Sequence, residues 1–420
     1  MTAAMPALNA ERLWSRVEAL SRFTLPDQPW TRRAFTDTWQ ASRDWLAEQY
    51  RAAGLAVSHD AAGNLVGRRE GTVAGARVLA TGSHCDTVPS GGRFDGIIGV
   101  LAGIEIAHSL HEQGARLRHP LEVIDFLSEE PSDYGVSCVG SRGIAGMLGP
   151  DMLAQANPAG ETLAQGLARV GGDPGALARA LRGPDSVAAF VELHIEQGPV
   201  LENEGLPIGV VTHIVGIRRH RVIVEGRPDH AGTTPMDIRQ DALVGAARLV
   251  DEANRRARGL LGSGHYVVAT VGYLAVTPNA SNAVPGRVEM MLEVRSDAEH
   301  VLDEFTDAAI EAVRPGLQEL GVRLTHAEVS RSAPTACAPL VMQAIEDAAA
   351  DLGYRSRRMP SGAGHDAVYM SKLAPVGMVF IPCLGGRSHC PEEWIEPAQL
   401  LDGTRVLHQT LLRLDAQLKE

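Results

Sequence analysis

The feature that most restricts the fold is a change in the order of elements near residue 213 and a change back near residue 330. Before it, apolar runs at 77–81 and 121–127 read as buried strands separated by a helical segment at 96–113. Strand, helix, strand implies a parallel sheet. Residues 151–186, rich in Ala, Gly and Pro, read as short helices and turns between strands. From 213 to 330 the order becomes strand (219–225), helix (241–256), strand (266–276), strand (286–295), helix (298–313) and strand (322–329), the split βαβ order of a ferredoxin-like domain. Its helices are expected to bury Leu243, Ala246, Ala247, Val250 and Ala253 on one, and Val301, Phe305, Ala309 and Ala312 on the other. A helix at 339–352, a strand at 376–381 and a helix from Pro397 then restore the first pattern. The expected fold class is therefore α/β: a large domain of residues 1–212 and 331–420, with a mostly parallel sheet flanked by helices, and an α+β domain inserted at 213–330.

At 420 residues the chain exceeds a single ordinary core of about 100 to 150 residues. The formal charge of -12, without clustered Lys and Arg, argues against a nucleic-acid partner. No run approaches the 18 or so apolar residues that span a bilayer, so no membrane partner is expected. The first twenty residues lack a secretory pattern and read as an amphipathic helix; with five cysteines and no CxxC pair, they point to a reducing, cytoplasmic setting.

The chemistry lies where strands end. His84 follows the first strand in Gly82-Ser83-His84-Cys85-Asp86-Thr87-Val88, and Asp86, two residues on, can accept from the far imidazole nitrogen and fix its tautomer. Asp95 lies in the Gly-rich turn that starts the next helix, where an ordinary helix cap is the plainer explanation. Glu129 and Glu130 end another strand; two adjacent carboxylates repel unless a cation or proton intervenes, although a solvated acidic loop would also contain them. With a cation, one glutamate can ligate while its neighbour accepts a proton from water. His194 in Glu192-Leu193-His194-Ile195-Glu196-Gln197-Gly198-Pro199 and His389 in Ser388-His389-Cys390-Pro391 again follow strand-like segments. Any one of these is an ordinary residue; together His84, Asp95, Glu130, His194 and His389 supply the N and O donors that two zinc-like ions need.

These motifs resemble the metal-dependent amidohydrolases related to aminoacylase and carboxypeptidase, in the branch of N-carbamoyl-L-amino-acid hydrolase, allantoate amidohydrolase and β-ureidopropionase. GSHCDTVPSGGRFDG, the SEE pair, HIEQGP, DHAGTTPM and SHCPEEW occur in that family's order over nearly the whole chain. The resemblance implies that His84 and His194 hold one divalent ion, Glu130 and His389 the other, and Asp95 bridges them. The ions would be zinc, or manganese, cobalt or nickel. It further implies that Asp86 orients His84 and Glu129 is the general base. His230, in the inserted domain, would be a catalytic and substrate-binding histidine reaching the other subunit's active site, so that the domain serves as lid and dimerisation unit of a homodimer. Gln197, Asn282, Arg295 and His365 match substrate-binding positions, Asn282 and Arg295 those for the substrate carboxylate. One departure bears on the substrate: Pro131-Ser132-Asp133 stands where branch members commonly carry Gly-Ser-Arg.

The expected activity is hydrolysis of a small carboxylate-bearing N-carbamoyl-L-amino acid to the amino acid, ammonia and carbon dioxide. Allantoate or another ureido acid, or an N-acyl or peptide amide, is the nearest alternative. A catalytically silent, metal-holding dimer is a rival of another class, for which an unligated Glu129 would have no use.

Overall fold

The computed structural model describes residues 7–179, 181–183 and 186–419. The chain divides into two compact units, one running to Thr212 and continuing through Cys337–Met359 and from Ala363 onward, the other comprising His213–Ala336 with Pro360–Gly362.

In the large unit a block of four parallel strands forms the centre of the sheet. Val78–His84 pairs with Leu121–Phe126 on one side and Val187–Ile195 on the other, and Val376–Ile381 pairs with the far edge of Val187–Ile195. Antiparallel strands flank the block: Leu65–Arg69 and then Ala56–His59 beyond Leu121–Phe126, and Ile208–Ile214 beyond Val376–Ile381. All four central strands are buried along their whole length, as expected where both faces of a parallel sheet are covered. Glu192 and His194 are as buried as their apolar neighbours, so the strand has no polar face, and Glu192 is satisfied by the Ser83 hydroxyl at 2.7 Å.

Helix Ile97–Glu112 is apolar nearly all round and buried for most of its length, which suits an element covered on several sides. Its Val100, Leu101 and Ile104 share one core with Leu79, Val123 and Leu193 of the sheet and with Leu407 and Leu411 of the final helix, Pro397–Gln417. Each such fully buried aliphatic side chain contributes roughly 1.5–3 kcal/mol. Gly96 precedes this helix at φ +70, and a Cβ there would meet the His84 ring at 2.3 Å, so only glycine lets the helix begin against that imidazole. Helix Asp37–Ala52 and the flanking antiparallel strands carried no distinct sequence signal.

The small unit follows the expected order: strand Gly216–Glu225, helix Ala242–Gly259, strands Val267–Thr277 and Arg287–Ser296, helix Glu299–Glu319, strand Arg323–Ser332. The sheet is antiparallel, with Gly216–Glu225 and Arg287–Ser296 inside and Arg323–Ser332 and Val267–Thr277 at its edges. Two expectations about its helices need correction. In the first, Ala242, Ala246, Leu249 and Ala253 face the core, while Leu243 and Ala247 are exposed and Val250 is half-buried. In the second, Leu302, Phe305, Ala309, Ile310 and Val313 are buried, Ala312 is exposed and Val301 half-buried. At 3.6 residues per turn neighbouring apolar stripes differ by one position, and alanine-rich sequence does not choose between them; here Gly245, packed against Val224 and Leu317, fixes the phase of the first helix. The second helix also runs through Pro315 to Glu319, beyond the expected end at 313.

Candidate metal centre

The four central strands are parallel, so their carboxyl ends share one edge of the sheet, and the polar side chains of the motifs arrive there. His84 is the last residue of its strand, His194 the last but one of its own; Glu129 and Glu130 follow Phe126, and His389 follows Ile381 after a short loop. Asp95 comes in from the turn before helix Ile97–Glu112. Ser128, Gln197 and His389 all have left-handed backbones, with φ of 52, 56 and 55. Such conformations cost on the order of 1–3 kcal/mol each and persist where surrounding structure fixes them; here they aim the loops that carry the polar groups.

Asp95 is the hub. Its Oδ1 lies 3.1 Å from His194 Nε2 and 3.7 Å from His84 Nε2, while its Oδ2 lies 3.1 Å from His389 Nε2. The same His389 nitrogen is 3.1 Å from Glu130 Oε1. Two trios thus share one carboxylate: His84, Asp95 and His194 in the first, Asp95, Glu130 and His389 in the second, the potential donor atoms of each within 4.8 Å of one another. Glu129 belongs to neither; its Oε2 is 3.8 Å from His84 Nε2.

The donor set fits a pair of divalent ions. The Nδ1 atoms of His84 and His194 face the backbone carbonyls of Asp86, at 3.0 Å, and Ile195, at 2.9 Å, so each can donate there and leave Nε2 for the centre. Burial opposes charge on His84 and His194, yet Asp86, Glu129 and Asp95 outweigh it and hold both imidazoles above their usual range. Asp95 and Glu130 push His389 up to about 11. Burial alone would raise Asp95; His194 and His389 hold it well below the usual carboxylate range. A centre that gathers acidic groups against imidazole nitrogens in this way offers the oxygen and nitrogen donors that divalent cations take. Nitrogen and oxygen donors of this kind accept zinc, manganese, cobalt or nickel.

Glu129 differs from its neighbour. Burial pushes its carboxyl well above the usual range; His84 opposes that, and the charges of Glu130, Asp366 and Asp86 reinforce it. Cys138 Sγ lies 3.4 Å from Glu129 Oε1 and can donate to it. The Asp86 carboxylate is turned chiefly to the peptide chain, accepting from the N–H groups of Glu129 at 3.3 Å and Glu130 at 3.2 Å, with Oδ1 3.5 Å from His84 Nδ1. Its expected contact with His84 is thus shared with fixing the glutamate pair.

Gln197 Nε2 donates to Asp95 Oδ2 at 2.6 Å. His365 is buried with its ring 4.5 Å from that of His194, edge to face, and burial holds it neutral, well below its usual pKa. Residues that sequence reasoning passed over stand beside them: Cys138 at Glu129, Ser388 at Asp95 Oδ2 (2.8 Å), and Glu393, which accepts from Ser388. Ser388 and Glu393 lie inside SHCPEEW, so proximity to His389 was the one signal available.

His230, Asn282 and Arg295 belong to the small unit. His230 and Asn282 are adjacent: the two-residue strands Asp229–His230 and Ala283–Val284 pair, and Ala231 N donates to Asn282 O at 2.9 Å. His230 Nδ1 accepts from the backbone N–H of Gly232 at 3.0 Å and Thr233 at 3.3 Å, which places its proton on Nε2. Arg295, on strand Arg287–Ser296, gives Nε to Glu293 at 2.7 Å and Nη1 to the carbonyl of Gly362 at 2.8 Å. A two-pronged grip on a carboxylate therefore requires it to exchange one of these partners. At the departure from the branch pattern, Asp133 pairs with Arg33 at 2.6 Å and Ser132 is buried.

The sequence profile described as Peptidase family M20/M25/M40 matches residues 80–413. The chain is 42% identical over 407 residues to the N-carbamoyl-L-amino-acid amidohydrolase of Paenarthrobacter aurescens, covering 97% of this chain and 98% of that protein. It is 40% identical over 408 residues to the N-carbamoyl-L-amino acid amidohydrolase of Geobacillus stearothermophilus, covering 97% and 99%. Among solved structures, an amidase of the hydantoinase/carbamoylase family from Burkholderia multivorans superposes with a TM-score of 0.92 at 36% identity, over 99% of this chain and 100% of that one.

Proposed function

This chain belongs to peptidase family M20/M25/M40, and from that membership we propose that it is a dinuclear metal-dependent hydrolase of linear carbon–nitrogen bonds outside peptides, acting on N-carbamoyl-L-amino acids. The observation that carries the reading is the pair of ligand trios sharing Asp95, with Glu129 beside them and outside both. The names of the relatives at 42% and 40% identity support the carbamoyl substrate.

When bound, two divalent ions supply Lewis acidity toward a water and toward the substrate carbonyl. The residues do the rest. His84, His194 and Asp95 would hold one ion, and Glu130, His389 and Asp95 the other. Glu129, which belongs to neither trio, takes a proton from the attacking water and returns it to the departing nitrogen. Asp86 fixes the Glu129 and Glu130 backbone and shares in orienting His84. His230, protonated on Nε2, is suited to donate to the carbonyl oxygen as charge develops there, a contribution of roughly 3–4 kcal/mol for one such donor. Asn282 and Arg295 receive the substrate carboxylate, and Gln197 and His365 line the pocket near Asp95 and His194. A homodimer is part of the reading: the edge strand Val267–Thr277 exposes Tyr273 and Leu274, a margin unpaired among the described residues that a second copy can cover. So is a reducing, cytoplasmic setting, which the five free cysteines suit.

The test is turnover by metal-replete protein, read as ammonia release from N-carbamoyl-L-amino acids and allantoate and as free amino-acid release from N-acetyl amino acids and dipeptides. Turnover of the carbamoyl compounds is expected. Preference for allantoate or for the acetyl compounds would move the assignment to that substrate, and turnover of none would reject it.

A further inference from the structure

We propose that Glu393 is a positioning residue that clamps the turn carrying Asp95 to the loop carrying His389, and so sets the spacing of the two ligand trios; this rests on the dinuclear reading above. Glu393 is 1% exposed, yet its carboxylate is fully engaged. Oε1 accepts from the backbone N–H of Phe94 at 2.8 Å and of Asp95 at 3.1 Å. Oε2 lies 2.7 Å from Ser388 Oγ, which is itself 2.8 Å from Asp95 Oδ2 and precedes His389 in the chain. One side chain therefore fixes the Asp95 backbone and shares with the Asp95 carboxylate one hydroxyl, whose single proton serves one of the two carboxylates at a time.

Two further observations show that the turn is built around this group. A Cβ on Gly92 would fall 1.9 Å from the Glu393 carboxyl carbon, so the second glycine of Gly91-Gly92-Arg93 leaves room for the carboxylate. On the apolar side, Trp394 lies edge-on to Phe94 with ring centroids 5.6 Å apart, and the Arg93 guanidinium lies 4.7 Å from both Trp394 and Trp30. The Glu393-Trp394 pair thus grips residues 92–95 by hydrogen bonds and by packing. An apolar side chain in place of Glu393 could pack, but it would leave the Phe94 and Asp95 N–H groups without their acceptor.

Glutamine keeps the geometry: its carbonyl can accept from both backbone N–H groups while its amide donates to Ser388 Oγ, leaving the hydroxyl proton for Asp95. The experiment is zinc and manganese binding to metal-stripped parent, Glu393→Ala, Glu393→Gln and Ser388→Ala protein by calorimetry, with the visible spectrum of the cobalt-loaded forms. Glu393→Ala is expected to weaken ion binding by about 10- to 100-fold, the range for lost hydrogen bonds to ligands, and to alter the cobalt spectrum, while the circular dichroism of the stripped protein stays as in the parent. Glu393→Gln should recover most of the affinity. A folded Glu393→Ala protein that binds both ions with parental affinity and spectrum overturns the proposal. If Glu393→Ala does not fold, Ser388→Ala decides alone: weakened binding supports the clamp, and parental binding overturns it. A parent that binds no ion removes the dinuclear reading and the clamp together, whereas a parent that binds two ions beside an unaffected Glu393→Ala removes the clamp only.

Discussion

Cys138 Sγ lies 3.4 Å from Glu129 Oε1, and His84 Nε2 lies 3.8 Å from the other oxygen of that carboxylate. Cys138 itself is buried and has a left-handed backbone, φ 53, so the thiol is held toward the acid by the chain. A hydrogen bond of about 1 kcal/mol corresponds to roughly fivefold in rate. Cys138→Ala is expected to lower kcat by about that factor with KM and metal content unchanged; an unaltered kcat would remove the thiol from the positioning of Glu129.

Glu129→Gln removes the proposed proton carrier and leaves both ligand trios intact. Steady-state kinetics should show kcat reduced by roughly 10²–10⁴-fold, with two ions per chain still counted by elemental analysis. Retained turnover would mean that another group moves the proton.

Removing the ions should abolish activity, and zinc, manganese or cobalt should restore it in the same preparation. Ligand binding to the folded state adds about 2.7 kcal/mol of stability at a hundredfold excess over Kd, so the reloaded protein should also melt higher. Equal melting curves for stripped and reloaded protein would place the ions elsewhere than in this folded centre.

The Arg33–Asp133 pair is partly exposed, so its loss should cost less than about 1 kcal/mol in stability. Asp133 stands where the branch that this chain resembles commonly carries Arg. Asp133→Arg is expected to change the ratio of kcat/KM between acidic and apolar N-carbamoyl amino acids, with melting temperature nearly constant. An identical ratio across the panel would separate this loop from specificity.

His408, buried in the final helix with both ring nitrogens lacking hydrogen-bond partners among the described residues, is held down to about 4 by burial. An unfolded histidine titrates near about 6.5. The folded state therefore favours the neutral ring: its contribution is fully present above about 6.5 and is lost as pH falls toward 4, at about 1.4 kcal/mol per pH unit, or roughly 3 kcal/mol in all. His408→Leu cannot titrate there. Denaturant titrations at about pH 7 and about pH 4 should show the variant gaining on the parent by roughly that amount, and a constant difference would exclude His408 from acid sensitivity.

Much of the architecture is legible in the order of elements. The split βαβ pattern and the strands leading to His84, Glu129 and His194 can be read because apolar runs and turns are local signals. The helix phases of the small unit cannot, since alanine at 242, 246 and 247 fits either stripe and the choice falls to packing against Gly245. At the centre, motif residues identify the chemistry but not who fixes whom. Asp86 is readable as a partner of His84; that its carboxylate also receives the Glu129 and Glu130 N–H groups depends on how two parallel strands align. Cys138 has no sequence signature, and for Glu393 only its place in SHCPEEW hints at a role, because both roles exist only where loops distant along the chain meet.

The strand Val376–Ile381, seated in parallel against Val187–Ile195, is the last to enter the central sheet, and His389 lies beyond it. During synthesis, a ribosome must therefore release the whole small unit before the sheet can be completed, so every nascent intermediate lacks the second trio. Such long-range closure slows maturation and leaves the exposed flank of Val187–Ile195 open to incorrect partners meanwhile. A chain cut short anywhere before His389 could retain its first trio and still never acquire the second.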